Sequence, residues 1–194
     1  VTGSKTRVLA AVEVDFAAVM ARVRGIIEQG SRGARGYVES LDGVEIIDGE
    51  ATFLGPEVVQ VDGRELSAPT IVIATGADPS VPPIPGLDSV PYWTSNDLLL
   101  DVTELPARLA IIGAGPIALE LGQAMARLGS TVTMVEVAPR LLPAAEPELA
   151  DMLGGYLADE GIEILTGVEI TQVSAGPTLA IRHNGMERTI AADA

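Results

Sequence analysis

Six consecutive residues, Gly113-Ala114-Gly115-Pro116-Ile117-Ala118, and an acid further along the chain, Glu136, carry the clearest chemistry in this sequence. Gly113 permits a tight turn, and Gly115 lets bare backbone approach a bulky anion. Pro116 suits the first helical position, where a missing N–H costs nothing. The helix that starts there offers free N–H groups and a partial positive charge, and the small Ala118 lets helix and sheet pack. A carboxylate about twenty residues on can accept both hydroxyls of a ribose. Together these groups suit a diphosphate and an adenosine ribose, the two parts of a dinucleotide's adenine half. Glu136 repels a 2′-phosphate, which favours NAD(H) over NADP(H); Arg140, close by, is the group that could accommodate such a phosphate.

The flanking elements must put turn and acid at one sheet edge. Residues 108–112 read as an apolar strand, 116–128 as a helix with Ile117, Leu121, Met125 and Leu128 on its buried face, and 131–136 as a second strand. A helix over 147–160, a strand over 162–165 and a three-stranded meander over 168–191, with an Asn184-Gly185 turn, complete this half. Upstream, residues 15–40 have the spacing of an amphipathic helix, weakened in its second half by Gly30, Gly33 and Gly36. Short strands follow at 44–48, 51–55 and 57–66, the last with an Asp62-Gly63 hairpin signal, and another at 70–76. Residues 77–86, ADPSVPPIPG, form a proline-rich connection that is neither helix nor central strand, and a short helix follows near Asn96 to Leu100.

Composition narrows the function classes. The formal charge of −15, with one lysine among 12 basic residues, leaves no basic face for nucleic acid. The absence of cysteine rules out a disulfide, a thiolate metal site and a thiol nucleophile within these 194 residues. No apolar run reaches the roughly 18 residues of a membrane span, so a soluble cytoplasmic protein is the expectation. Other polar residues have structural readings: Glu146, Glu148 and Asp151 as the acidic start of a helix, His183 as an exposed strand residue, Trp93 as a packing anchor, and Thr94 and Ser95 as helix caps.

The order TIVIATGADPSVPPIPG, PYWTSNDLL, LAIIGAGPIALELG, MVEVAPRLLP resembles the middle of the flavin-dependent pyridine nucleotide-disulfide oxidoreductases, and within them the mercuric reductases and dihydrolipoamide dehydrogenases. The resemblance implies an α/β fold: a Rossmann-like NAD-binding domain, parallel sheet plus β-meander, over residues 101–194 and lacking its final strand, joined to a partial FAD-binding domain over residues 1–100. It implies that Ala51 contacts the FAD adenine, that Thr75, Gly76 and Ala77 lie beside the flavin nucleotide, and that Gly113 through Ala118 wrap the NAD diphosphate. It further places Glu136 on the adenine ribose, Ile170 at the adenine side, and Ile117 where some relatives have a gating tyrosine. Glu120 matches an acid that pairs with a lysine near the flavin, a lysine that VTGSKT would supply as Lys5; that alignment puts Val1 where a redox cysteine stands in the family. Family members are homodimers through a C-terminal domain and pass hydride from nicotinamide to flavin to a disulfide.

Three functions follow as expectations. One is the central portion of an FAD-dependent NAD(P)H oxidoreductase that reduces a disulfide or a thiol-bound metal ion. Another is a cysteine-free NAD(H)-binding module without catalysis of its own, and the third is a thiol-independent NADH:flavin oxidoreductase. With one fitting glycine turn, the chain is expected to bind FAD weakly or not at all.

Overall fold

The computed structural model describes residues 13–194, so VTGSKT and Lys5 lie outside the described residues. The chain sorts into two compact units, residues 24–78 and a larger one made of residues up to 23 together with 79–194. Helix α1 (Phe16–Glu39) contributes to both. Its start is capped by the Asp15 carboxylate, which accepts the Ala18 N–H at 2.9 Å. The three glycines do not end it. Arg35 bonds Glu39 one turn on at 2.8 Å and grips Asp48 with two more bonds of 2.8 Å, holding the exposed second half.

In the smaller unit, β1 (Ala51–Gly55), β2 (Val58–Val61) and β3 (Arg64–Ser67) form an antiparallel meander in that order. The β2–β3 turn has positive φ at both Asp62 and Gly63, the backbone that matches the twist of a two-residue hairpin. Residues 44–48 and 70–76, expected as strands, have no ladder partner among the described residues. Glu45 and Asp48 are held instead by side chains, Glu45 by Arg64 at 2.6 Å and Asp48 by Arg35. Val72 and Ile73 are 82% and 70% exposed. Periodicity reports which side chains suit a strand; a ladder also needs a neighbouring backbone.

The larger unit has three layers. Its centre is a parallel sheet of β4 (Arg108–Ile112), β5 (Thr131–Glu136) and β6 (Glu163–Thr166), ordered β4-β5-β6. Helices α2 (Ser95–Leu100), α3 (Pro116–Leu128) and α4 (Pro147–Asp159) complete one part of it. Strands β7 (Glu169–Ser174), β8 (Thr178–His183) and β9 (Met186–Ala191) form a separate antiparallel meander. Alternation along the parallel strands divides the core. Leu109, Val132 and Met134 pack with Leu119, Met125 and Leu157 of the helices, joined by Phe16 and Met20 of α1. Val135 turns the other way, into Val168, Val173, Leu179, Ile181 and Ile190 of the meander side. Burial of each such side chain is worth roughly 1.5–3 kcal/mol, so this alternation fixes which face of the sheet takes helices.

Side chains tie the layers together. Arg188 of β9 makes two 2.7 Å bonds to Glu163 of β6. Arg127 and Gln123 of α3 converge on Glu160 just past α4. Asp193 and Ala194 lie along β4, with Asp193 N–H bonded to the Arg108 carbonyl at 2.9 Å and Ala110 N–H to the Ala194 carbonyl at 3.0 Å. The Arg188 guanidinium holds the Glu163 carboxyl below its ordinary range.

Helix α3 packs tightly on the sheet at Gly122, where a Cβ would collide with the ends of Met134 and Ile111. Both obstacles are flexible side-chain tips, and alanine gains about 1 kcal/mol of helix propensity over glycine. Gly122→Ala is therefore expected to change stability by less than about 1 kcal/mol, whereas Gly122→Val should cost about 1–3 kcal/mol in chemical denaturation. A carboxyl whose folded pKa is depressed contributes stability at neutral pH and loses it as pH falls through that pKa. Thermal scans from neutral pH into the range of about 4 and below should show a steeper loss of Tm for the wild type than for Arg188→Ala.

Candidate functional site

The turn between β4 and α3 is built from both sides. Gly113 has φ 108, a region that side-chain-bearing residues rarely adopt, and its N–H bonds the Val135 carbonyl at 2.7 Å. Ala114 is wholly buried. Its N–H donates to Glu136 Oε2 at 2.8 Å, and its carbonyl accepts the Leu142 N–H at 3.1 Å. Gly115 is the N-cap of α3 and has no side chain to cap it; Pro116 follows at the first helical position. The first intrahelical bond runs from Leu119 N–H to the Gly115 carbonyl. The N–H groups of Ile117 and Ala118 thus stand at the helix start with no acceptor in the preceding turn.

Glu136, at the end of β5, is half-buried. Its second oxygen, Oε1, accepts the Ala138 N–H at 2.8 Å. The loop beyond it is fastened to the meander side through Val168 N–H on the Glu136 carbonyl and Gly167 N–H on the Ala138 carbonyl. Arg140, in the same loop, donates to the Pro143 carbonyl at 2.6 Å. Ile170 of β7 is half-buried against the meander-side core.

Several sequence expectations are corrected. Ile117, expected on the buried face of α3, is 59% exposed; Leu121, Met125 and Leu128 do pack in the helix-side core, where Leu119 and Gly122 are the further buried positions. The close packing expected at Ala118 occurs at Gly122, one turn later. Trp93 is 39% exposed and does not anchor the core; it borders an apolar cavity of about 320 Å³ with Val81, Leu98, Ile111, Ile117 and Leu121. His183 closes β8 half-buried, with its ring 3.4 Å from the Asn184 amide. Thr94 does cap α2, in a capping box with Asp97, whose carboxyl is held low by the Thr94 hydroxyl. Glu146 is the N-cap position of α4 and Glu148 lies in its first turn; Asp151 is one turn further.

Glu120 is exposed on α3. Ala51 opens β1, exposed and paired with Val61, and Thr75, Gly76 and Ala77 are exposed in the unpaired stretch of the smaller unit. Sequence reasoning missed Ala138 and Leu142, which shape the site through backbone N–H groups. Such donors leave no signature in residue type.

The residues at the turn fit a bound diphosphate. Gly115 has φ −80 and ψ 176, which any residue adopts, and a Cβ there would meet nothing within 4 Å. Neither conformation nor internal packing requires a glycine, while the space above it opens onto the helix start. The donors are unclaimed and a carboxylate stands at the adjoining strand end. These features define the class: a Rossmann-like α/β unit with a nucleotide-type turn.

Comparison with known proteins places that class more finely. The family model for pyridine nucleotide-disulphide oxidoreductases matches residues 4–194. A mercuric reductase of Staphylococcus aureus is 38% identical over 162 residues, covering 81% of this chain and 29% of that protein. A dihydrolipoyl dehydrogenase of Thermus scotoductus is 35% identical over 158 residues, covering 81% of this chain and 34% of the other. Among solved structures, the HOCl-induced flavoprotein disulfide reductase RclA from Escherichia coli aligns with a TM-score of 0.80 and 29% identity over 94% of this chain and 42% of its own. The chain belongs to the pyridine nucleotide-disulphide oxidoreductase family, and it spans about a third of the length of these curated relatives.

The two glycines of the turn should respond differently to alanine. Gly113→Ala forces a side chain into φ 108 and is expected to cost about 1–3 kcal/mol. Gly115→Ala, at an N-cap with unstrained backbone, should cost less, within about 1 kcal/mol by urea titration in the absence of nucleotide.

Proposed function

We propose that the β4–α3–β5 unit binds NAD(H) as part of an FAD-dependent NAD(P)H oxidoreductase. The observation that carries this reading is the open glycine turn at Gly115, with free helix N–H groups above it and the Glu136 carboxylate bonded to the same turn. In this reading the Ile117 and Ala118 N–H groups bind the diphosphate, Glu136 accepts the adenosine hydroxyls, and Ile170 borders the adenine. The carboxylate meets a 2′-phosphate unfavourably, so NAD(H) is preferred to NADP(H). Arg140 moderates that preference, having further guanidinium donors beyond the one on Pro143.

The same reading gives residues 1–100 to a partial FAD-binding domain and residues 101–194 to the NAD-binding domain. Ala51, Thr75, Gly76 and Ala77 then serve the flavin nucleotide, and Lys5 with Glu120 the flavin ring. The bound cofactors supply hydride transfer; the residues here bind and orient the nicotinamide partner. The terminal acceptor of the whole protein is a disulfide or a thiol-bound metal ion, of the kind that mercuric reductases and dihydrolipoyl dehydrogenases are named for. No cysteine stands in these 194 residues, so they contribute nucleotide binding and no thiol chemistry. Assembly as a homodimer and a cytoplasmic location complete the proposal. No helix among the described residues is long and apolar enough to cross a membrane.

Titration of the purified chain should show tighter binding of NADH than NADPH by about 1–3 kcal/mol, the range of a charge-assisted hydrogen bond. Equal dissociation constants would refute the assignment of Glu136 to the ribose. Gly115→Val should weaken both nucleotides by about tenfold or more, since its side chain, whose Cβ meets no atom of the fold within 4 Å, occupies the diphosphate space.

A further inference from the structure

Glu136 does more in this structure than stand at a strand end. Both carboxylate oxygens are engaged, Oε2 by the Ala114 N–H and Oε1 by the Ala138 N–H, each at 2.8 Å. Ala114 is 0% exposed, and its carbonyl is also taken, by the Leu142 N–H. The peptide groups on both sides of Ala114 are therefore gripped, one by the Glu136 side chain and one by the loop that follows it. With a side chain of the same size in place Ala114 stays buried, so an N–H there that faces a donor instead of the carboxylate carries the desolvation penalty of an unpaired group.

We infer that Glu136 is the positioning residue of the nucleotide turn: its carboxylate fixes the Ala114 peptide before any nucleotide binds, and only its remaining acceptor sites are left for a ribose diol. A carboxylate has about four lone-pair sites, two on each oxygen. The two backbone amides take one on each, which leaves one on each for two adjacent hydroxyls. The carboxylate cannot swing aside for a 2′-phosphate without releasing both amides. Preference at the 2′ position and the shape of the diphosphate turn are thus set by one side chain and cannot be altered separately. The ribose half of this inference rests on the proposed NAD(H) site; the clamp on Ala114 does not.

Glutamine is the discriminating substitution. It matches glutamate in size but presents one oxygen and one NH₂, so in either orientation a backbone N–H faces a donor. The test is amide hydrogen exchange by NMR on the full chain without nucleotide, comparing wild type, Glu136→Gln and Glu160→Gln. Glu160 also holds several side-chain bonds, but at the α3–α4 contact away from the turn.

Glu136→Gln should speed exchange at Ala114 or Ala138 by about ten- to hundredfold, with the central β5 amides of Val132 and Met134 unchanged. Glu160→Gln should leave both turn amides as in wild type. Unchanged exchange at both turn amides in Glu136→Gln, or acceleration spread evenly through β5, would overturn the clamp. Should Glu136→Gln fail to fold, wild type decides alone: a hydrogen-bond scalar coupling between the Ala114 amide nitrogen and the Glu136 carboxyl carbon is expected, and its absence overturns the inference.

A nucleotide arm separates the two halves. Glu136→Gln should weaken NADH without gaining NADPH, because the turn that both nucleotides need is loosened. A gain in NADPH affinity with undisturbed turn amides would show a carboxylate that only contacts ribose. Equal binding of NADH and NADPH by wild type would refute the ribose assignment while the exchange result still judges the clamp.

Discussion

The register of β4 on β5 is the constraint on which the site depends. Parallel pairing sets Ile112 opposite Val135, so the next residues along, Gly113 and Glu136, arrive together at the carboxyl ends of their strands. From that alignment come the Gly113 bond to the Val135 carbonyl and the Ala114 bond to the Glu136 carboxylate. A slip of one residue would invert the inward and outward faces of β5, exchanging Val132 and Met134 for Thr131 and Thr133 in the helix-side core. The core therefore enforces the register, and the register delivers acid to turn. No local feature of the glycine turn achieves this alone.

Around that alignment the layers act as a frame with few free parts. The helix-side cluster reaches from α1 through α2, α3 and α4, and the meander-side cluster holds Val135 and Leu165 against β7, β8 and β9. The loop after β5 is caught between them. It bonds Ala114 through Leu142 and receives Gly167 on Ala138. The turn and the loop are held with precision because each is bonded to the other and both are bonded to the sheet. The arrangement costs adaptability, since Glu136 holds the turn and the start of the loop at the same time.

On so acidic a chain, the proposed diphosphate site needs local sources of attraction. With a net charge of −15 the surface as a whole repels a diphosphate, so attraction must come from local, oriented groups. The start of α3 offers such groups in its backbone, and it has no acidic residue in its first turn. Several arginines are neutralised locally: Arg127 by Glu160, Arg188 by Glu163, Arg108 by Asp193. Arg140 differs in bonding a carbonyl, which leaves its charge unmatched by that contact.

By itself the sequence determined the elements whose signals are local. The strands at 108–112 and 131–136, the helix from Pro116 to Leu128, the Asp62-Gly63 hairpin and the capping of α2 by Thr94 all stand where periodicity, proline, glycine and cap residues put them. The pairing of a glycine turn with Glu136 was legible too, because both are marked by residue type at a fixed spacing. Tertiary structure decided what residue type does not encode. It left 44–48 and 70–76 unpaired among the described residues, since a ladder is a property of two backbones. It turned Ile117 outward and put Gly122 against Met134, since a helix's exact rotation follows from packing against the sheet. And it gave Glu136 its two amide partners, since the N–H groups of Ala114 and Ala138 belong to the chain's path through space and are the same in every residue but proline.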